Sequence, residues 1–156
     1  MAHPDEKKGN KAAEHLCNLF GMNKAIYMPC DIRCSKQFED IFLYAKSTCN
    51  KIDILLNCAG VLDDKNWEGS LNTNVIGTLR GILLAFKYMN GNNSIVINLC
   101  GTMGLSPWPN SPIFSASKHA LVTASKCFGV SFFLFKYPKK KHLKFNKICK
   151  FVIYFI

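Results

Sequence analysis

Apolar residues along this chain alternate between two spacings, and that alternation restricts the fold more than any other feature. Over residues 5–20, Ala12, Ala13, Leu16, Leu19 and Phe20 recur at helical intervals, and Ala25 to Met28 then form a short apolar run ending at Pro29. Residues 35–48 repeat the helical spacing through Phe38, Ile41, Phe42 and Ala45, and IDILLN at 52–57 follows as an apolar strand. A third helix is predicted over 67–89, through Leu71, Val75, Leu79, Leu83 and Phe86, leading to SIVINL at 94–99. A fourth, over 112–128, leads to an apolar run at 143–149. Strands that are apolar throughout and separated by helices are covered on both faces, which is the pattern of a parallel sheet. The expected fold class is therefore α/β, a doubly wound parallel sheet.

Ligands of such sheets bind beyond the carboxyl ends of the strands. The stretches in that place are Asp31, NCAG at 57–60 and CGTMG at 100–104. Taken singly, Asp31 reads more readily as a helix N-cap, and Gly60 as a tight turn with unusual backbone angles. PIFSASKHALV, residues 112–122, reads as a helix whose exposed face carries Ser115, Ser117 and Lys118 just after Phe114.

At 156 residues and 49% hydrophobic, the chain suits one domain with one core. All ten acidic residues lie between Asp5 and Glu68, so the net charge of +10 arises from a basic second half. The eight cysteines form no Cys-x-x-Cys pair and have no His at zinc-finger spacing, so they are expected to be reduced, mostly buried thiols with no metal site. MAHPDEKKGNK has no apolar signal region, and CFGVSFFLF at 127–135 is about half the length of a membrane helix. A cytoplasmic protein without a membrane span is expected. KYPKKKHLKFNKICK, residues 136–150, holds seven lysines and no acid. A solvated turn before a strand is favoured there over nucleic-acid binding. The final FVIYFI is an apolar tail, prone to aggregate if unpaired.

In order along the chain, NCAG after IDILL, Asn74 inside LNTNVIGT, INLCGTMG, and FSASK beginning thirteen residues after Gly101 together resemble the short-chain dehydrogenase/reductase family. NCAGVLDDKNWEGSLNTNVIGT and INLCGTMGL are most similar to its NAD-dependent 15-hydroxyprostaglandin dehydrogenase group. The resemblance implies a Rossmann-like, partial dinucleotide-binding domain over 1–149 and a tail over 150–156, with NAD as cofactor. It implies that Asp31 and Ile32 receive adenine, and that Asn57, Cys58, Ala59 and Gly60 line the cofactor, Cys58 standing where the family has Asn. Asn74 would hold a helix kink and a water of the proton relay, and Lys118 would bind the nicotinamide ribose and lower the pKa of the catalytic tyrosine. That tyrosine falls on Phe114 and the family serine on Gly101, so alcohol oxidation is expected to be impaired or absent. Thr102 could partly replace the serine. The family's first two strands, its Gly-rich phosphate turn and its first helix are expected to be lacking, so NAD binding should be weak. In the family order 3-2-1-4-5-6, this loss leads residues 24–28 to pair directly with 52–57. Helices 67–89 and 112–128 form the family's common dimer surface, which implies a homo- or heterodimer with relatives. The runner-up readings are a non-catalytic pseudoenzyme paired with a full-length relative, or an incomplete gene product.

Overall fold

A computed structural model describes residues 1–89, 94–135 and 150–154. In chain order the elements are β1 (Ala2–His3), α1 (Glu6–Phe20), β2 (Met28–Pro29), α2 (Ser35–Cys49), β3 (Ile54–Asn57) and α3 (Trp67–Leu71). A π-helical turn (Asn72–Gly77) follows, then α4 (Thr78–Tyr88), β4 (Ile95–Leu99), a 3-10 turn (Thr102–Gly104), α5 (Pro112–Phe135) and β5 (Lys150–Tyr154). All strand pairs are parallel. The α/β class agrees with the sequence.

Local chemistry sets the helix ends. Asp5 caps α1, its carboxylate accepting from the Lys8 amide at 3.0 Å, and Gly21 at φ 105° ends the helix. Asn50 at φ 61° stops α2. Helix α5 runs past the expected end at 128, because Gly129 costs a helix only about 1 kcal/mol relative to alanine.

The strands pair differently from expectation. Met28–Pro29 does not pair with 52–57; it pairs with β1, the Met28 amide donating to the Met1 carbonyl at 2.9 Å and the Cys30 amide to His3 at 3.2 Å. Residues 1–3 supply the partner that the 24–28 run needed, so the described strands fall into two sheets, β1-β2 and β3-β4-β5. An apolar groove of about 540 Å³ lies between them, lined by Met1, Ala2, Phe42, Ile54 and Leu56 among others. Strand β3 is consequently not covered on both faces: Ile54 is 58% and Leu56 51% exposed. The expected strand at 143–149 and the basic stretch over 136–149 lie outside the described residues. Lys150–Tyr154, read as a tail, instead forms β5 on the far side of β4.

The main core joins Cys30, Phe38, Phe42, Ile82, Ala85, Met89 and Val96 where α2 and α4 meet the sheet. The burial expected of most cysteines is granted only to Cys30 and Cys100 among the described residues. Helix α4 approaches β3 closely at Gly81, whose Cβ, if present, would lie 2.7 Å from Asn57 Oδ1. A buried polar chain runs from there across the sheet. Asn57 donates to Asn98 Oδ1 at 2.8 Å, Asn98 to Ser125 Oγ at 2.8 Å, and Ser125 to the Leu121 carbonyl at 2.7 Å. Buried polar groups are costly unless paired, and this chain leaves each side chain paired.

Candidate functional site

The carboxyl ends of β1, β2 and β3 open onto a cleft of about 500 Å³, which Asp31, Ile32, Arg33, Ala59 and Gly60 help to line. Arg33 holds the Asp31 carboxylate in a fork, Nη2 to Oδ2 at 2.7 Å and Nε to Oδ1 at 3.0 Å, and its hydrogen bond lowers the Asp31 pKa. Asp31 also accepts from the Arg33 amide at 2.9 Å and so closes its own loop, but it is not the helix N-cap that the sequence suggests: that position before α2 is Cys34. Arg80 pins the same loop from α4, donating to the carbonyls of Ile32 at 2.6 Å and Arg33 at 3.0 Å. Sequence reasoning missed Arg80. The signal was one of only two arginines in the chain, set in an apolar helix.

Among the NCAG residues, Asn57 turns its side chain into the buried polar chain and away from the cleft. Cys58 is exposed, and partial desolvation raises its pKa. Gly60 leaves room: a Cβ there would lie 3.1 Å from Lys118 Nζ and 3.5 Å from Asn74 Oδ1.

Asn74 sits in the π-helical turn and is fully buried. Its Oδ1 accepts from the Val61 amide at 2.8 Å, while Nδ2 donates to the Val61 carbonyl at 2.9 Å and Ser117 Oγ at 3.1 Å. π-turns insert a residue into a helix and recur at functional sites. This one aims the amide at the loop after β3 and ties that loop to α5.

The exposed face predicted for α5 is in fact buried: Ser115 is 5%, Ser117 0% and Lys118 6% exposed. The two serines satisfy themselves locally, which makes burial tolerable. Ser117 donates to the Phe114 carbonyl at 2.7 Å, and Ser115 to Met103 at 3.3 Å while accepting from the Trp108 amide. Asp64 accepts from the amides of Ile113 at 3.3 Å and Phe114 at 3.2 Å, anchoring the first turn.

Lys118 Nζ donates to the Leu99 carbonyl at 3.2 Å and lies 5.3 Å from the Phe114 ring centre. Desolvation lowers its pKa, while the nearby Cys100 opposes that shift. Lys118, Phe114, Gly101, Thr102 and Cys58 line a cavity of about 260 Å³ beyond β4. Gly101 enters it at φ 71° and ψ 168°. The structure therefore gathers Lys118, Phe114 and Gly101 at one cavity, with Asn74 behind Gly60. Among the described residues no group of His, Cys, Asp or Glu is arranged to hold a metal, and no helix is long and apolar enough to cross a membrane.

The family model for short chain dehydrogenases matches residues 1–132. The chain belongs to the short-chain dehydrogenase family. It is 31% identical over 145 residues to 15-hydroxyprostaglandin dehydrogenase [NAD(+)] of Rattus norvegicus, covering 90% of this chain and 53% of the relative. It is 35% identical over 107 residues to the Homo sapiens enzyme of that name, covering 66% of this chain and 40% of the relative. The chain thus spans about half the length of these short-chain dehydrogenase relatives. Among solved structures, a short-chain dehydrogenase/reductase from Burkholderia phymatum in complex with NAD superposes with a TM-score of 0.77 at 20% identity, over 97% of this chain and 54% of that one. NAD+-bound xylitol dehydrogenase gives 0.78 at 18% identity, over 85% and 54%. Both likenesses support the Rossmann-like fold.

Proposed function

We propose that this chain carries part of the site for NAD-dependent oxidation of a secondary alcohol, of the 15-hydroxyprostaglandin type, with its proton-handling side chains replaced. A nicotinamide dinucleotide, when bound, supplies the acceptor for the hydride leaving the alcohol carbon. The residues available to hold it fit in part. Asp31 and Ile32 stand at the adenine end, Ala59 and Gly60 along the cleft, and Lys118 at the cavity, where the absent Cβ of Gly60 leaves passage beside the amine. No Gly-x-x-x-Gly-x-Gly run occurs in the 156 residues, so no backbone-amide cradle for the pyrophosphate is evident in the sequence, and weak binding is expected.

The observation that carries the reading is what Lys118 faces. It meets an aromatic ring at 5.3 Å where the family has a phenolic oxygen, so no phenolate is there to take the alcohol proton. Loss of such a base costs about 10²–10⁴ in rate. Gly101 offers no hydroxyl to orient the substrate oxygen, a loss of roughly a further 10²–10³. Lys118 and Asn74 retain positions suited to orienting a ribose and bracing the loop, without a group that moves the proton.

A second reading, a non-catalytic partner of a full-length relative, is favoured by exposed apolar side chains on the helices expected to form the dimer surface. Ile76 is 44% and Leu83 56% exposed, about two turns apart. A cytoplasmic location belongs to both readings.

The deciding experiment follows NADH absorbance with secondary alcohols and 15-hydroxy fatty acids, alongside calorimetric titration with NAD. Weak dinucleotide binding without turnover is expected. Turnover near that of an intact relative would overturn the impaired-site reading, and the absence of any NAD binding would leave the partner reading in its place.

A further inference from the structure

The cavity beyond β4 holds a single amine, Lys118, beside the thiols of Cys58 and Cys100. Lys118 is 6% exposed, yet it lines a cavity of about 260 Å³ whose walls include Met103, Phe114 and Leu99. Its Nζ has one carbonyl partner, Leu99, and an aromatic face. None of the ion pairs among the described residues includes it, whereas Lys36, Lys51 and Lys87 are each held by a carboxylate at 2.7–3.0 Å.

We propose that Lys118 is a carbonyl-trapping amine, which condenses with small apolar aldehydes admitted to this cavity to form an imine.

The chemistry requires a neutral amine, room for the carbonyl carbon beside it and an apolar wall for the rest of the molecule. Burial disfavours the charged form, so a larger fraction of Lys118 is neutral at a given pH than of the paired surface lysines, where Asp40 and Glu39 raise the pKa values of Lys36 and Lys87. The titratable groups around it are thiols: Cys100 at the end of β4 and Cys58 across the cavity, both with pKa values raised by desolvation. Of the two, Cys100 favours the ammonium and opposes part of the shift, but desolvation is the larger effect. Asp64 is engaged with the amides of Ile113 and Phe114, one turn before Lys118 on α5.

Room comes from the two substitutions that disable alcohol oxidation. Gly101 projects no side chain into the cavity, and Phe114 presents a ring that neither accepts from the amine nor competes for an incoming oxygen.

The atoms balance without an oxidant or reductant. The Nζ lone pair attacks the carbonyl carbon, and the C=O π pair moves to oxygen, which takes a proton as nitrogen loses one. The carbinolamine C–O bond then breaks as the nitrogen lone pair forms the C=N bond, and the oxygen leaves as water, carrying away the equivalent of nitrogen's second proton. Thr102 lines the same cavity and brings a hydroxyl to its wall. This activity lies beyond the cofactor reading and needs no dinucleotide, so either can fail alone.

The test uses the full chain without NAD, hexanal as the probe and cyanoborohydride to reduce any imine to a stable secondary amine, with modified lysines located by peptide mass spectrometry. Near neutral pH, the adduct is expected at Lys118 in preference to Lys36 or Lys87, since burial keeps more of its amine neutral while their carboxylate partners hold those lysines charged. The preference should shrink as pH rises toward the ordinary lysine range and the surface amines deprotonate. It should vanish in Lys118→Met, and also in the urea-unfolded wild-type chain, which serves if the variant does not fold. Adducts spread evenly over surface lysines in the folded chain, or an unmodified Lys118, would overturn the proposal.

Discussion

A seryl side chain at position 101 would have to sit on a backbone at φ 71° and ψ 168°, a region occupied almost only by glycine and costing other residues about 1–3 kcal/mol. Position 114 carries no such restriction, since tyrosine there adds only a hydroxyl to a ring already lining the cavity. Gly101→Ser is therefore expected to lower the unfolding free energy by about 1–3 kcal/mol, and Phe114→Tyr to change it by no more than about 0.5 kcal/mol. Urea denaturation of the two single variants measures both; equal effects would mean that the turn after β4 relaxes around serine. Lys118, Phe114 and Gly101 were legible in the sequence because motif spacing fixes them. What spacing could not reveal was that Ser115 and Ser117 face inward. Their burial depends on hydrogen bonds to Met103, Phe114 and Asn74, and polarity alone points the other way.

Among the elements, the join between α4 and β3 has the least slack. A methyl group on Gly81 would lie 2.7 Å from Asn57 Oδ1 and 3.1 Å from the Phe38 ring, forcing the helix outward or breaking the Asn57–Asn98 bond. Gly81→Ala gains helix propensity of roughly 1 kcal/mol, but overpacking a filled core costs about 1–3 kcal/mol. The net expectation is a modest loss of thermal stability, read by calorimetry, whereas a gain would show that the asparagine pair moves aside freely. The helices and strands β3 and β4 were legible because their periodicity is local. Strand β1 was not, because two residues carry no period. The pairing of β2 followed from β1, so the expected 24–28 to 52–57 contact failed with it.

For the whole molecule, exposed apolar side chains include a helical face with Ile76 and Leu83 and the sheet groove with Ile54 and Leu56, besides Leu19, Phe20 and Met22 around the end of α1. Sedimentation is expected to show a self-associating chain, and Ile76→Lys with Leu83→Lys to shift it toward the monomer. A monodisperse wild-type monomer would sink the pairing reading, and loss of association only in Ile54→Lys with Leu56→Lys would move the contact to the groove. The buried chain from Asn57 through Asn98 to Ser125 has a further consequence, for how the sheet assembles. In register, Asn57 lies directly opposite Asn98. Sliding β4 by one residue would turn Asn98 to the opposite face of the sheet and set an aliphatic or thiol side chain against each amide. The stranded amides would then each cost about 1–3 kcal/mol, while Ser125 would keep its bond to the Leu121 carbonyl. A misaligned sheet is thus penalised as it closes: the two asparagines proofread the alignment of β3 against β4, and Ser125 extends the check to the seating of α5.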